Sequence, residues 1–121
     1  MQAALCKDFV LNGSLDGSPT TLDPSQITEN SQWHMLSQLG VNLVLTDSGV
    51  LKPEAAASWT IDKVTKRFEF RLRPSLKLSN GQVVTADDWV STFRRLLATN
   101  GPTKVLLEPY LSADGITAPG P

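Results

Sequence analysis

Residues 67–73, Arg-Phe-Glu-Phe-Arg-Leu-Arg, alternate without a break between apolar and charged side chains. Successive side chains of a strand point to opposite faces. Phe68, Phe70 and Leu72 therefore share one face, and Arg67, Glu69, Arg71 and Arg73 share the other. The segment is predicted as a β-strand with one face in an interior and one in water. Pro74 ends it, because proline has no N–H to give the ladder. Trp59-Thr60-Ile61 makes a second arm and residues 62–66 a bend, so 59–73 reads as a β-hairpin.

Helices flank this ribbon. Thr85 is a strong N-cap, and Asp87 and Asp88 complement the positive end of a helix running to about Ala98. Its apolar stripe is Trp89, Val90, Phe93, Leu96 and Leu97. Arg94 and Arg95 lie near its end, where positive charge is favourable, and residues 99–102 stop it. An earlier helix is predicted over 30–39, capped by Thr28 or Asn30 and stopped at Gly40. Trp33, Met35, Leu36 and Leu39 fall on its apolar side.

Between these elements the pattern is finer. Residues 8–12 read as a short strand. Residues 13–21 are dominated by turn formers, and Leu22-Asp23-Pro24 closes that loop, with Pro24 pushing Asp23 out of helical geometry. Residues 41–45 read as a strand, 46–49 as a tight turn and 54–58 as a short helical turn. Residues 76–78 form a brief second edge before a turn at 79–82. Residues 105–111 fit a helical turn or an extended piece, and the tail 112–121 is expected to fray. The fold class is α+β: a small antiparallel sheet with helices packed on it.

Composition excludes several functions. The chain of 121 residues bounds one modest domain. Eleven basic residues face twelve acidic ones, so no whole-chain field draws nucleic acid or an anionic membrane. No stretch approaches the roughly 20 apolar residues of a membrane span. Cys6 is the one cysteine, so no intrachain disulfide forms. Leu5 stands before it, where lipoproteins carry a small residue. The first ten residues lack the basic start and apolar core of a secretory signal, which leaves a cytoplasmic location open.

Chemistry is not arranged in this sequence. His34 is the one histidine and has no cysteine or second histidine to complete a metal site. No acyl-transfer triad and no phosphate-cradling glycine loop is present. Asp87 and Asp88, as helix neighbours, point about 100° apart and do not converge on a bond. The row Arg67, Arg71, Arg73 is interrupted by Glu69 and reads as a solvated strand face. The expectation is a protein that is no enzyme, with no catalytic residues, metal or cofactor.

A set of segments in fixed order nonetheless resembles a known family. Leu22-Asp23-Pro24 is followed by a helix and by Gly40-Val41-Asn42-Leu43-Val44, with a turn at Asp47-Ser48-Gly49. Then come Leu51-Lys52-Pro53-Glu54-Ala55-Ala56-Ala57-Ser58-Trp59 and Phe68-Glu69-Phe70-Arg71-Leu72-Arg73. Last is Leu78-Ser79-Asn80-Gly81-Gln82-Val83-Val84-Thr85-Ala86-Asp87-Asp88. Together they resemble the opening of the extracellular solute-binding proteins of family 5, which serve peptide and nickel importers. Asn80 and Val84 depart from the family's usual Asp and Pro, and both still suit a turn.

The resemblance implies part of lobe I of a type II periplasmic-binding-protein-like fold. Residues 8–24 would be its opening strand and ligand-side loop, and 28–111 a small α+β subdomain. It implies a peptide or other small solute as ligand, an ABC permease as partner in the full-length context, and a periplasmic or extracellular location. It also implies a binding loop: Ser14, Leu15, Asp16, Gly17, Ser18 and Pro19, whose backbone can pair with an extended peptide as an added strand. Asp16 would meet a ligand ammonium. The alternatives are a solute-sensing domain of a cytoplasmic transcription regulator and a stand-alone protein-interaction module.

Overall fold

The computed structural model describes residues 17–119. The predicted strand at 8–12 and the loop residues Ser14, Leu15 and Asp16 lie outside them. The order of elements is α1 (Asn30–Leu39), β1 (Val44–Asp47), β2 (Val50–Pro53), β3 (Ala56–Asp62), β4 (Arg67–Leu72), α2 (Ala86–Ala98) and α3 (Pro102–Leu107), closed by a 3-10 turn at Ala113–Gly115. The class is α+β, as expected. Among the described residues the strands form two separate two-stranded antiparallel sheets, β1–β2 and β3–β4, rather than one.

The first hairpin is set by its loop. Ser48 and Gly49 both have positive φ, 51° and 80°. Such a loop of two residues matches the right-handed twist of the strands it joins. It pairs Asp47 with Val50 and Val44 with Pro53. The strand therefore begins at Val44, three residues later than the predicted 41–45. Thr46 and Asp47 belong to the strand and not to the turn.

The second hairpin carries the alternating segment. Trp59 pairs with Phe70 and Ile61 with Phe68 on one face, and Thr60 pairs with Glu69 on the other. The Asp62 carboxylate shapes the bend by accepting the N–H groups of Val64 and Thr65 and the Thr65 hydroxyl. Those three bonds, the Thr65 hydroxyl foremost, hold its pKa below the usual carboxylate value.

Residues 54–58 are not the helical turn that alanine content suggested. Ala56 opens β3, and Ala55 and Ala56 are both fully buried at the joint between the hairpins. Their N–H groups donate to the carbonyls of Asn42 and Leu43, and the Arg73 N–H donates to the Ala55 carbonyl. Three backbone segments meet here, and alanine is the side chain small enough to sit between them. Packing has overridden a weak local helix preference.

The boundaries of α1 and α2 match the sequence reading, while α3 begins at Pro102 and not at the predicted 105, and the caps and faces differ in part. At α2, Asp88 accepts both the N–H and the hydroxyl of Thr85, at 2.8 and 2.9 Å. This is a capping box with an aspartate as the third helical residue. At α1 the N-cap is Glu29, not Thr28 or Asn30, and Gln32 Oε1 accepts the N–H groups of Thr28 and Glu29. The buried face of α1 is polar, made of Ser31 and Gln32, while Trp33 and Leu39 are exposed.

Leu96 and Leu97 of α2 are buried together with Ile27, Ala55 and Ala56. Phe68 stays 58% exposed, so the predicted interior shared by β4 and α2 is an open cleft and not a packed core. A single two-stranded ribbon offers too little apolar area to close over a helix. For the segment from Ser112, Arg94 donates to the carbonyls of Ala113 and Ile116, and the 3-10 turn lies between them.

Thr85→Ala removes the cap of α2. It is expected to lower the unfolding free energy by about 1 kcal/mol, read as a shift of the urea midpoint at unchanged slope.

Candidate functional site

Two regions invite a functional reading: the polar segment that leaves the predicted binding loop, and the open cleft beside β4. In the first, Gly17 has φ of +89° and is exposed, Ser18 is exposed and Pro19 is half-buried. None of the three lines the cleft. The sequence reading placed all six residues 14–19 at one site, and the structure describes these three at the surface.

Residues 20–27, next along the chain, are tightly held. Thr20 Oγ1 accepts from Gln32 Nε2 at 2.9 Å, which ties the segment to α1. Asp23 accepts the N–H and the hydroxyl of Ser25 through Oδ1. Arg95 of α2 then reaches across and gives Asp23 both terminal nitrogens, Nη1 to Oδ1 at 3.1 Å and Nη2 to Oδ2. A planar guanidinium matched to a carboxylate in this way is the strongest common side-chain pairing. Thr103 of α3 donates its hydroxyl to the Pro24 carbonyl.

Sequence reasoning assigned Arg95 to the helix dipole and Asp23 to a turn, and missed that they meet. The separation of 72 residues gives no local signal.

Gly101 completes this latch. A Cβ built on it would lie 2.0 Å from the Ser25 carbonyl oxygen, so only glycine lets the α2–α3 corner seat against residues 23–27. Ser25, Ile27 and Thr103 are buried beneath the contact. The predicted binding loop is thus followed by an anchored stretch that fixes where its end leaves the surface.

Electrostatics reflect the latch. The Arg95 guanidinium, with the Ser25 N–H and hydroxyl behind it, holds the Asp23 carboxyl far below the usual carboxylate range. Asp23 in turn raises the pKa of Arg95. Thr85 lowers the pKa of Asp88 through its N–H and hydroxyl, and Lys52, then Ser48, lower that of Asp47.

The second region is a cleft of about 930 Å³. Six consecutive residues of β4 line one side. Trp89, Val90 and Phe93 of α2 line the other, and Tyr110, Leu111 and Ile116 close one end. The rings of Trp89 and Phe93 sit 6.4 Å apart at 31° and form one apolar surface. Trp89 Nε1 is buried and has no acceptor among the described residues. Among those residues no three His, Cys, Asp or Glu side chains come together as metal ligands, and His34 is exposed on α1. Among them, too, no helix is long and apolar enough to cross a membrane.

The described residues thus present an anchored backbone segment and an open cleft of mixed polar and apolar lining. Residues 50–120 match the sequence model of the bacterial extracellular solute-binding proteins, family 5 Middle, and the chain belongs to that family.

Among the relatives, the periplasmic oligopeptide-binding protein OppA of Haemophilus influenzae is 40% identical over 97 residues, covering 78% of this chain and 18% of its own. The probable deoxycholate-binding periplasmic protein YgiS of Escherichia coli is 38% identical over 78 residues, covering 64% of this chain and 15% of its own. The HTH-type transcriptional regulator SgrR of Pectobacterium atrosepticum is 27% identical over 101 residues, covering 74% and 18%. The chain therefore spans less than a fifth of the length of these relatives. No solved structure matches it.

Two measurements test the latch. Gly101→Ala forces the corner away from Ser25 and is expected to cost about 2 kcal/mol or more, against under about 0.5 kcal/mol for the surface change Ser91→Ala.

The pH dependence has a definite sign. Asp23 has a depressed folded pKa, so the unfolded chain binds more protons at low pH and stability falls as pH falls. The contribution is complete above the unfolded value near 3.8 and is lost progressively below it. Urea unfolding between neutral pH and pH ~2 is expected to show that slope beginning near pH ~4. Asp23→Asn should reduce it, and high salt should weaken it because the pair is partly exposed.

Proposed function

We propose that this chain supplies one wall of a solute-binding site in a protein that captures a peptide or other small solute for an ABC-type importer. The match of residues 50–120 to family 5 carries the reading. In it, the described residues belong to lobe I, and the loop of Ser14, Leu15, Asp16, Gly17, Ser18 and Pro19 lies beside the ligand backbone. The anchoring of residues 20–27 on α1, α2 and α3 supports this, because a loop that pairs with an extended peptide needs a rigid base. Asp16 meets the ligand's ammonium group. The place of action is the periplasm or the cell exterior.

Burying most of a ligand requires a cleft with two walls. The 121-residue chain on its own is therefore expected to show no saturable heat with peptides of two to five residues in titration calorimetry. Micromolar binding would overturn the single-wall reading.

Peptide capture itself is tested in the whole gene product that carries these residues. There Asp16→Asn is expected to weaken binding of peptides with a free amino terminus by roughly tenfold, the scale of one charge-assisted hydrogen bond. N-acetylated peptides should be unaffected. Equal loss for both would remove Asp16 from the site.

The match to the transcriptional regulator supports a second reading, a solute-sensing segment of a regulator. The two separate on the DNA upstream of this reading frame. An export signal there selects transport, and a helix-turn-helix coding segment selects regulation.

A further inference from the structure

The sequence holds three Asn-Gly pairs, at 12–13, 80–81 and 100–101. In such a pair the glycine amide nitrogen can attack the asparagine Cγ, because the glycine has no side chain to stand in the way. The new N–Cγ bond closes a succinimide ring. The Cγ–Nδ2 bond breaks, and Nδ2 leaves as ammonia with the proton that the glycine nitrogen gives up. Water then opens the ring. Attack at Cγ leaves aspartate, and attack at the α-carbonyl leaves isoaspartate, whose main chain runs through the β-carbon. The reaction needs a glycine N–H free of other bonds, a carbonyl oxygen able to carry negative charge, and water.

The two pairs among the described residues are held differently. At Asn80, the Gly81 N–H donates to the Leu78 carbonyl at 2.9 Å, and Oδ1 accepts from the neutral Gln82 N–H at 3.0 Å. The attacking nitrogen is thus engaged in the turn, and a hydrogen-bonded amide gives up its proton only when that structure opens. At Asn100, the Gly101 N–H has no acceptor among the described residues. The Asn100 Oδ1 accepts from Lys104 Nζ at 3.3 Å. An ammonium therefore sits on the oxygen that turns negative as the ring closes, and charge placed where charge develops lowers the barrier. A surface depression of about 430 Å³, lined by Asn100, Gly101, Lys104 and Glu108 among others, gives water access to the same atoms.

From this contrast we infer that Asn100 is a self-modification site, which converts through a succinimide to isoaspartate and aspartate in the folded protein while Asn80 is protected. Its position gives the conversion a structural outcome. Gly101 seats against the Ser25 carbonyl with no room for even a Cβ. Isoaspartate at 100 adds a methylene to the main chain beside that seat. It displaces Gly101, and the α2–α3 corner lets go of residues 23–27. Aspartate at 100 keeps the main chain at its original length and keeps the seat. Ageing thus produces a chain with its latch open, with water as the sole co-reactant.

This chemistry is independent of solute capture. It is tested by ageing the whole gene product that carries these residues in warm, mildly alkaline buffer. Peptide mapping with electron-transfer fragmentation then separates isoaspartate from aspartate at each site. Asn100 is expected to convert several-fold faster than Asn80 in the folded protein, and the gap should close in guanidinium. Lys104→Met should slow Asn100 several-fold in the folded protein only.

The structural outcome is read by hydrogen exchange. The amides of residues 20–27 should exchange faster in the isoaspartate form than in fresh protein, and at the fresh rate in Asn100→Asp. Equal conversion of Asn80 and Asn100 in the folded protein, no conversion of Asn100, or a gap that persists in guanidinium would overturn the inference. So would a Lys104→Met rate equal to that of the unaltered chain, or an isoaspartate form whose 20–27 amides exchange as in fresh protein.

Discussion

The fork between Arg95 and Asp23 is the interaction on which the rest of this structure depends. It joins the segment before α1 to the last turn of α2. Around it gather Ser25, which gives Asp23 two further hydrogen bonds, Thr103, which holds the Pro24 carbonyl, and Gly101, whose missing side chain permits the contact. Ile27 is buried within the same anchored segment, and Leu96 and Leu97 are the large apolar side chains buried in α2. A modest hydrophobic interior is organised here by polar geometry.

Much of the architecture was legible because it rests on short-range rules. The period of two in 67–73 predicted β4, and Thr85 as N-cap with acidic residues in the first turn predicted the start of α2. Gly40 marked the end of α1, and its N–H does donate to the Leu36 carbonyl. Errors arose where packing outweighed propensity. Alanines 55 and 56 looked helical and are strand and joint residues, because three backbone segments converge on them. The Trp33 side of α1 looked like an interior face. Its buried side is Ser31 and Gln32 instead, since Gln32 bonds to Thr20 and to the backbone at 28 and 29.

The binding loop was legible only through family likeness. Turn-forming residues such as Gly17, Ser18 and Pro19 show where a chain bends but not what it touches. Family membership is now direct, with residues 50–120 matched, while the relatives' own lengths are more than five times what this chain covers of them. The exposed Trp33, Leu39, Phe68 and Phe70 contrast with the satisfied polar frame around Asp23.

The latch also has a consequence for the order of assembly. Its bonds join residues 72 and 79 positions apart, whereas the turns at Ser48-Gly49 and Asp62 close loops of a few residues. Chain entropy opposes long closures before any contact rewards them. The two ribbons and the capped helix can thus form early, and the fastening of residues 20–27 comes late. A clasp closed last is the first to open, so the fastening of residues 20–27 would release before the turns that close over only a few residues.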